Sequence, residues 1–487
     1  MFDVSVPGRR ASTFPTLSDR LKKPQDALPA HFLRRQAPLL PEVSELDLVR
    51  HYTNLSRKNW GIDVGSYPLG SCTMKYNPKV HEQIAALSGF QTLHPWQPQS
   101  QTQGAMALLY EMERHLAELT GMARVTFQPS AGAAGELAGL LIIKAHHSAN
   151  GSRRDTIVIP DSAHGTNPAT VNRAGYKVRQ ISSGPDGLVD LTALEKALDD
   201  DVAGFMLTNP NTLGRFETEI ETIAKLVHGA GGLLYYDGAN LNAIMGVTRP
   251  GDMGFDVVHM NLHKTMTTPH GGGGPGSGPV AVSAELEQYL PAPLVGFNED
   301  SAQYFWDTER PDSIGRVHGF NGNFAVVLRA YAYVCSIGGE GLRRVSERAV
   351  LNANYLLKGL QPHFPPGIKG TKAGDYLHEF VVTSKRYRAN GVRAMDIAKR
   401  LIDLGFHPPT VYFPQIVEEA MMFEPTETES KSTLDSLAGA LTQIAREAEE
   451  TPEVLKRSPQ LAATGRLDEA GAARLPRLRW WPAGERS

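Results

Sequence analysis

Seven short apolar segments alternate with helical stretches between residues 125 and 282, and this alternation constrains the fold more than any other feature. The segments are Val125–Phe127, Thr156–Ile159, Lys177–Ile181, Val202–Leu207, Leu233–Tyr236, Asp256–Met260 and Pro279–Val282. Helices are predicted between them over 136–147, 191–198 and 219–228. Such alternation predicts an α/β fold with a mainly parallel seven-stranded sheet covered on both faces. Ligand sites in these sheets lie beyond the carboxyl ends of the strands.

The chain divides into four predicted parts around this sheet. An amino-terminal arm is predicted over 1–75, and the large domain with the sheet over 76–320. A smaller α+β domain follows over 321–450, and a tail ending in a proline- and arginine-rich stretch occupies 451–487. In the small domain, helices are predicted over 324–335, 341–360, 394–404 and 434–450, and a strand over 379–382.

The predicted arm has too few apolar residues to build a core of its own. It is rich in proline, arginine and polar residues, with scattered apolar positions such as Phe14, Leu17 and Leu21. We therefore expect the arm to bury these side chains on a neighbouring subunit.

Composition excludes several classes of protein. The 487 residues are 41% hydrophobic and 21% charged, with a net charge of −3. A charge this small does not predict binding to nucleic acid or to an anionic membrane. No segment approaches the ~18 apolar residues of a membrane span, and the amino terminus lacks the apolar core of a signal peptide. Two cysteines, Cys72 and Cys335, cannot form a disulfide framework. These features predict a cytoplasmic enzyme or enzyme subunit.

A lysine and an aspartate follow two of the predicted strands. Lys264 lies just after the strand that ends at Met260, where a buried lysine is costly unless its amine is neutralised or bonded. A Schiff base to a carbonyl cofactor does both. Asp237 ends the preceding strand, and pyridoxal phosphate (PLP) enzymes need an acid to keep the pyridine nitrogen protonated. An aspartate before glycine can equally cap a turn, but the pairing with Lys264 favours a PLP site.

A small-residue loop precedes a predicted helix and is a candidate phosphate site. Ser130, Ala131 and Gly132 would let the backbone approach an anion at the helix amino terminus. A tight turn explains the same residues equally well. The loop lacks the Gly-Lys-Ser/Thr of a nucleotide P-loop, and the glycine run Gly271–Gly278 precedes a strand rather than a helix. A dinucleotide site is therefore not predicted.

Four other polar residues follow the strands or adjoin Lys264. His164 could stack on a flat cofactor ring and move protons, although a lone histidine is more often structural. Thr208 could bond substituents of the ring, and Asn240 its phenolic oxygen. His263 could contact phosphate or simply pack. The histidines lack a zinc spacing and the cysteines are too few and distant, so no metal site is predicted.

Taken together, these motifs resemble glycine decarboxylase, the P-protein of the glycine cleavage system, in its lysine-bearing carboxyl half. The strings that carry the resemblance are Pro68–Pro78, Phe127–Ala133, Ser162–Pro168, Tyr236–Asn240, Asn261–Thr265, Leu351–Tyr355 and Phe423–Glu427. They cover residues from about 50 to about 450. In some organisms the two halves of this family are separate subunits, and a 487-residue chain looks like the second, catalytic subunit.

The resemblance implies a fold-type-I PLP enzyme with the aspartate aminotransferase architecture. Lys264 would bind PLP, Asp237 would pair with the ring nitrogen, His164 would stack on the ring, and 130–132 would hold the phosphate. The implied reaction decarboxylates glycine, releases CO2 and transfers the aminomethyl group to the oxidised lipoyl group of H-protein. The implied partner is subunit 1 of the P-protein, with two copies of each subunit.

Two other interpretations stay open at this point. The chain could be another fold-type-I enzyme, such as an amino-acid decarboxylase or a desulfurase, but the agreement of motifs along the whole chain disfavours this. It could instead be a non-catalytic scaffold subunit, which the presence of both Asp237 and Lys264 disfavours.

Overall fold

The computed structural model describes residues 1–13, 18, 23–36, 38–271 and 276–478, and it divides the chain into two compact units. The first unit spans 1–64 and the second 65–487. The predicted domain boundaries at 75, 320 and 450 stay predictions. Within the described parts of the chain, no helix is both long enough and apolar enough to cross a membrane.

The described part of the first unit contains two α-helices, α1 (Pro24–Ala27) and α2 (Glu45–Ser56), and short 3-10 helices at Phe2–Val4 and Ala30–Phe32. Ser44 caps α2, because its Oγ accepts the backbone N–H of Asp47 at 3.2 Å. The sequence did not predict α2, and its large apolar side chains remain about half exposed, so no buried stripe marks it. Three residues on which the arm prediction depends, Phe14, Leu17 and Leu21, lie outside the described residues.

The second unit holds the other described α-helices and all the described strands. Its helices are α3 (Lys79–Ala85), α4 (Ser88–Gln91), α5 (Gln103–Thr120), α6 (Gly132–Ala149), α7 (Thr166–Arg173), α8 (Leu191–Ala197), α9 (Ile220–Gly229), α10 (Phe324–Leu360), α11 (Ala394–Asp403), α12 (Lys431–Glu450), α13 (Pro452–Arg457) and α14 (Glu469–Arg474). Its strands are β1 (Arg124–Thr126), β2 (Thr156–Pro160), β3 (Lys177–Ile181), β4 (Val202–Thr208), β5 (Leu233–Gly238), β6 (Val257–Met260), β7 (Val280–Val282), β8 (Leu294–Asn298), β9 (Gln303–Asp307), β10 (Phe380–Thr383), β11 (Thr410–Val411) and β12 (Ala420–Phe423).

The seven predicted strands form one sheet in the order β1-β7-β6-β5-β4-β2-β3, which confirms the predicted fold class. The strands from β2 to β6 pair in parallel, and β7 runs antiparallel to both of its neighbours. Alternate residues of a strand enter different cores: Leu234 and Tyr236 lie in one apolar cluster, and Leu233 and Tyr235 in another. The sheet is therefore buried on both faces.

A separate core belongs to the small antiparallel sheet β10-β12-β11. The rings of Phe380 and Phe423 stack across it with centroids 5.5 Å apart. The strand predicted at 379–382 is confirmed as β10, whereas β11, β12 and the β8–β9 hairpin were not predicted, because short apolar runs are ambiguous between helix and strand. The two helices predicted around residue 338 are parts of α10, which breaks at Gly338 (φ 65°).

The sheet brings polar residues from three strands to one edge. Thr208 at the end of β4 lies opposite Asp237 on β5, and Asp237 lies opposite His259 on β6. The turn after β6 and the loop after β1 meet at the same edge through the segment before β7. There Gly278 donates its backbone N–H to Pro129 O at 3.1 Å, and Ser277 O accepts the Leu262 N–H at 3.2 Å. This edge is the one that the alternation of strands and helices predicts for a ligand site.

Candidate active site

Lys264 lies in a turn after β6, and its amine is held by one backbone carbonyl. The strand ends at Met260, as the sequence predicts, and a turn spans 262–266. The half-buried side chain donates from Nζ to Ser71 O at 2.9 Å, the one hydrogen bond that Nζ makes within the described chain. A single neutral acceptor leaves this amine available for covalent chemistry.

The Ser71 carbonyl belongs to a loop that two buried carboxylates hold in place. Ser71 and Thr73 have left-handed backbone conformations, with φ of 62° and 47°. Glu379 Oε2 accepts the Ser71 N–H, and Glu424 Oε2 accepts the Thr73 N–H, both at 2.8 Å. Glu379 directly precedes β10 and Glu424 directly follows β12. The small sheet therefore fixes the loop to which the lysine bonds.

Burial raises the pKa of both of these carboxyl groups. For Glu379 the neighbouring Glu424 adds to the effect of burial, and the pKa lies well above its usual value. His378 is fully buried beside them, with Nε2 3.8 Å from Glu424 Oε1, and burial lowers the pKa of His378 to about 3. The imidazole is therefore neutral, and the two carboxyl groups do not both ionise readily.

A second buried lysine lies nearby, but its amine is fully bonded. Lys75 Nζ donates to Asn242 Oδ1 at 2.9 Å, to Thr265 O at 2.7 Å and to Glu427 Oε1 at 2.7 Å. Burial alone would lower the pKa of Lys75, but Glu427 raises it above its usual value. This lysine stays charged and bound, which distinguishes it from Lys264.

Asp237 is a buried carboxylate with partners on three sides. Its Oδ2 accepts from Asn167 Nδ2 at 3.0 Å, and its Oδ1 accepts the Ala239 N–H at 3.0 Å. His259 Nε2 lies 3.3 Å from Oδ1, and His259 Nδ1 lies 2.9 Å from the Tyr235 hydroxyl. Burial alone would raise the pKa of Asp237, but His259 and the two hydrogen bonds hold it below its usual value. The carboxylate can therefore stabilise a cation in a buried position.

The loop after β1 forms a cradle at the start of α6. Ala131 caps the helix without a side-chain acceptor, so the first N–H groups remain free for an anion. A Cβ on Gly278 would overlap the Ala131 carbonyl, which shows how closely the two backbones approach. Asn323 ties the two segments together by donating to Ser130 O at 3.1 Å and to Gly276 O at 2.5 Å. The Ser277 hydroxyl is buried and has no partner within the described chain.

His164 and Thr208 lie at the same edge of the sheet. Nδ1 of His164 lies 2.8 Å from the Thr166 hydroxyl, and its ring contacts Phe413 edge-on at 5.5 Å. Burial lowers the pKa of His164, while Asp237 opposes this shift. The Thr208 hydroxyl is buried and has no partner among the described residues, so it can bond a ligand.

Sequence reasoning missed most residues that position these groups. Asn167 lies inside the motif Ser162–Pro168, but nothing in that motif indicates its contact with Asp237. The contact between His259 and Asp237 depends on the register between β5 and β6, which no local pattern reveals. The spacing of Glu379 and Glu424 in the sequence forms no recognisable motif either.

Two buried groups of donor residues have the spacing of a metal site: Glu136, Asp237 and His259 form one, and His378, Glu379 and Glu424 form the other. The sequence argument considered only histidine and cysteine spacing, so it did not weigh these groups. Several of their carboxylate oxygens already accept hydrogen bonds from the protein. The expectation of no metal site stays a prediction.

Comparison with known families decides what kind of chain carries this site. The family model "Glycine cleavage system P-protein" matches residues 18–305, more than half of the chain, and "Glycine dehydrogenase, C-terminal domain" matches 345–461.

The chain belongs to the P-protein family.

Curated relatives match the P-protein chain along almost its whole length. A probable glycine dehydrogenase (decarboxylating) subunit 2 from Caldanaerobacter subterraneus is 57% identical over 481 residues, covering 99% of this chain and 98% of the relative. A protein of the same description from Halalkalibacterium halodurans is 56% identical over 483 residues, with 99% and 97% coverage. The family predicted from the sequence motifs is confirmed.

Solved structures show the same fold. The crystal structure of an inhibitor-bound glycine decarboxylase (P-protein) matches with a TM-score of 0.73 and 21% identity, covering 87% of this chain and 95% of that one. The glutamate decarboxylase of Lactobacillus brevis matches with a TM-score of 0.65 and 14% identity, with 86% and 96% coverage. The fold is that of the PLP-dependent fold-type-I enzymes.

Distant motif strings of this P-protein meet at the site. Thr73, in the string Pro68–Pro78, donates from its backbone and its hydroxyl to Glu424, which is 351 residues away in the string Phe423–Glu427. Lys75 and Glu427 join the same two strings in an ion pair of 2.7 Å. Both strings thus contribute residues to the surroundings of Lys264.

Two predicted site residues of this P-protein have other partners in the structure. Both amide hydrogens of Asn240 are used, because Nδ2 donates to Pro210 O at 2.9 Å and to Glu379 Oε1 at 3.0 Å, which leaves only Oδ1 free. His263 lies in the turn after β6. Its Nδ1 accepts the Ser277 N–H at 3.3 Å, and burial lowers its pKa to about 3.

Proposed function

We propose that this chain is the cofactor-bearing subunit of a glycine decarboxylase. The reaction releases CO2 from glycine and passes the aminomethyl group to the oxidised lipoyl group of H-protein. The observation that carries the proposal is the arrangement of Lys264, with its single carbonyl partner, and Asp237 at the ligand edge of a P-protein family sheet. The cytoplasmic location predicted from the sequence is part of the same proposal.

The residues at this edge fit PLP. The cradle of 130–132 offers free N–H groups to the phosphate, and the unpartnered Ser277 hydroxyl adds a donor there. Asp237 would face the pyridine nitrogen, and the unpartnered Thr208 hydroxyl would bond a polar substituent of the ring. Lys264 would carry the aldehyde carbon. His164 would lie against the ring.

When bound, PLP supplies an electron sink for the pair of electrons left behind as CO2 departs. Asp237 favours this chemistry by keeping a proton on the pyridine nitrogen, and its own pKa is held low enough for it to stay ionised. Ser71 O gives the Lys264 amine a defined position while the substrate occupies the site. Burial of the surrounding side chains excludes water and strengthens these interactions.

Glycine–bicarbonate carbon exchange tests this function directly. The chain should exchange the glycine carboxyl carbon when it is supplied with PLP, its partner subunit and lipoylated H-protein. A PLP absorption band without exchange would favour another fold-type-I activity. The absence of both the band and the exchange would favour a non-catalytic scaffold subunit.

We expect the isolated chain to be poorly active and to require subunit 1. Several large apolar side chains of the first unit face solvent in the single chain, among them Phe32 (71% exposed), Leu39 (73%) and Leu40 (70%). Exposed apolar residues at this density indicate a surface that a partner covers. Co-expression with subunit 1 should give a stable hetero-oligomer with two copies of each subunit, measured by static light scattering. A monodisperse monomer with full exchange activity would contradict this assignment.

The Gly278→Ala variant should bind PLP more weakly, because the new Cβ would overlap the Ala131 carbonyl and displace the cradle. Overpacking of this kind costs about 1–3 kcal/mol, which corresponds to roughly 5- to 150-fold in affinity. Titration of the cofactor-free protein with PLP measures the change. Gly229→Ala is the matched control, because a Cβ there meets no atom within 4 Å. Equal affinities for the two variants would rule out the cradle as the phosphate site.

A further inference from the structure

Glu136 is a buried carboxylate that none of the roles above uses. It lies in the first turns of α6, beyond the cradle, and only 4% of the residue is exposed. Its Oε1 accepts from the Thr166 hydroxyl at 2.7 Å, and its Oε2 has no partner among the described residues. Ligand atoms of Asp237 and His259 lie within 4.8 Å of the Glu136 carboxylate, but the Thr166 hydroxyl is its one hydrogen-bond donor among the described residues. Burying a carboxylate is costly unless it is hydrogen-bonded, so this bond matters for Glu136.

The Thr166 hydroxyl connects Glu136 to His164. The same oxygen that lies 2.7 Å from Glu136 Oε1 lies 2.8 Å from His164 Nδ1. A threonine hydroxyl has one proton, and a carboxylate only accepts hydrogen bonds. The proton therefore goes to Glu136, and the second short contact is satisfied only if His164 Nδ1 donates to the threonine oxygen.

We propose that Glu136, acting through Thr166, keeps the proton of His164 on Nδ1 and leaves Nε2 as the acceptor of the ring. Glu136 and Thr166 are thus positioning residues. This inference deepens the proposed function, on which the role of His164 at the cofactor rests. Burial lowers the pKa of His164, so the ring is neutral and has a single proton to place.

One contact in the structure opposes this assignment. The Thr166 backbone N–H lies 3.2 Å from His164 Nδ1 and would favour an unprotonated Nδ1. If that contact decided the tautomer, either the Thr166 hydroxyl would turn to Nδ1 and leave Glu136 Oε1 without a donor, or lone pairs of Nδ1 and the threonine oxygen would face each other at 2.8 Å. An unsatisfied charged group costs more than one long amide contact contributes, so the chain of two shorter bonds prevails.

The tautomer decides what His164 can do for the substrate. Nε2 has no hydrogen-bond partner within the described chain. With its lone pair free, Nε2 can take a proton from the ammonium group of arriving glycine: a glycine N–H bond breaks, an Nε2–H bond forms, and no oxidation occurs. The glycine amine then has a free electron pair. In the other tautomer Nε2 carries a hydrogen and cannot accept one.

A long-range ¹H–¹⁵N spectrum of the full chain labelled with ¹⁵N-histidine tests the proposal, since the two tautomers give different nitrogen shifts. His164→Gln identifies the signal by its loss. The wild-type ring should be protonated on Nδ1. In Glu136→Met and Thr166→Val, which remove the carboxylate or the hydroxyl, it should be protonated on Nε2. Glu136→Gln and Thr166→Ser keep the required oxygens and should restore the Nδ1 form.

Exchange assays on the complete enzyme give the second readout. Glu136→Met and Thr166→Val should lower the exchange rate by about 10²-fold, the low end of general acid–base contributions, and Thr166→Ser should recover most of the loss seen with valine. Glu221→Met, an exposed change on α9, is the matched control and should behave as wild type.

Each outcome decides one part of the inference. A wild-type ring protonated on Nε2, or an Nδ1 form that persists in both Glu136→Met and Thr166→Val, would overturn the role of Glu136. If one of these two variants does not fold, the other answers the same question. Absence of exchange in the wild type would refute the proposed function instead, because the tautomer is measured without glycine.

Discussion

The Lys264→Ala variant is expected to lose covalent attachment of PLP and to bring glycine–bicarbonate exchange down to background. Nζ of Lys264 bonds only the Ser71 carbonyl among the described residues, whereas the other buried lysine of the site, Lys75, is saturated by three acceptors. Borohydride reduction followed by peptide mapping should place the pyridoxyl adduct on Lys264. An adduct on Lys75, or on any other lysine, would refute the assignment.

The same variant should remain folded. It loses one hydrogen bond to a backbone carbonyl, which contributes about 0.5–1.5 kcal/mol. Thermal unfolding of the cofactor-free protein should therefore change little. Lys225→Ala removes an exposed lysine of α9 and is the matched control; it should retain both the adduct and the activity.

Asp237→Asn is expected to bind PLP but to lower the exchange rate by about 10- to 1000-fold. An adjacent carboxylate raises the pKa of a cation by about 1–3 units, and each unit corresponds to about 1.36 kcal/mol, or tenfold in rate. The amide would leave the pyridine nitrogen without its anion and would change the contact with His259 Nε2, which lies 3.3 Å from Oδ1. Exchange kinetics and the PLP absorption spectrum measure the two effects separately.

Asp252→Asn provides the control for Asp237→Asn, because it also removes one negative charge, from an exposed ion pair with Arg249. Surface pairs of this kind contribute about 0–1 kcal/mol, so exchange should stay unchanged. If Asp237→Asn retained full exchange activity, the proposed role of Asp237 at the ring nitrogen would be wrong.

The large sheet was predictable because a local sequence pattern marks each of its strands. Each strand is an apolar run between turn residues, and burial on both faces removes the ambiguity about which side faces the core. The residues at the ends of those runs, Thr208 and Asp237, were found for the same reason. Their neighbours were not, because the pairing of Asp237 with His259 is a property of strand register.

The residues that hold the loop next to Lys264 could not be predicted from local patterns. Glu379 and Glu424 flank short strands of the small sheet, where a charged residue ordinarily marks a surface. Their partners, Ser71 and Thr73, are more than three hundred residues away in the chain. Only the tertiary fold shows that these carboxylates are buried and that they hold the loop carrying the lysine's acceptor.

The hydrogen bonds that Ser71 and Thr73 donate to Glu379 and Glu424 make the position of the Lys264 amine depend on the small sheet. Lys264 follows β6 of the large sheet, but the loop that carries its carbonyl partner is held by Glu379 and Glu424, which adjoin strands of the small sheet. Any rotation of the small sheet against the large one therefore moves the acceptor away from the amine or toward it. A substitution that loosens the small sheet is therefore expected to displace the acceptor of the Lys264 amine, although it changes no residue in contact with Lys264.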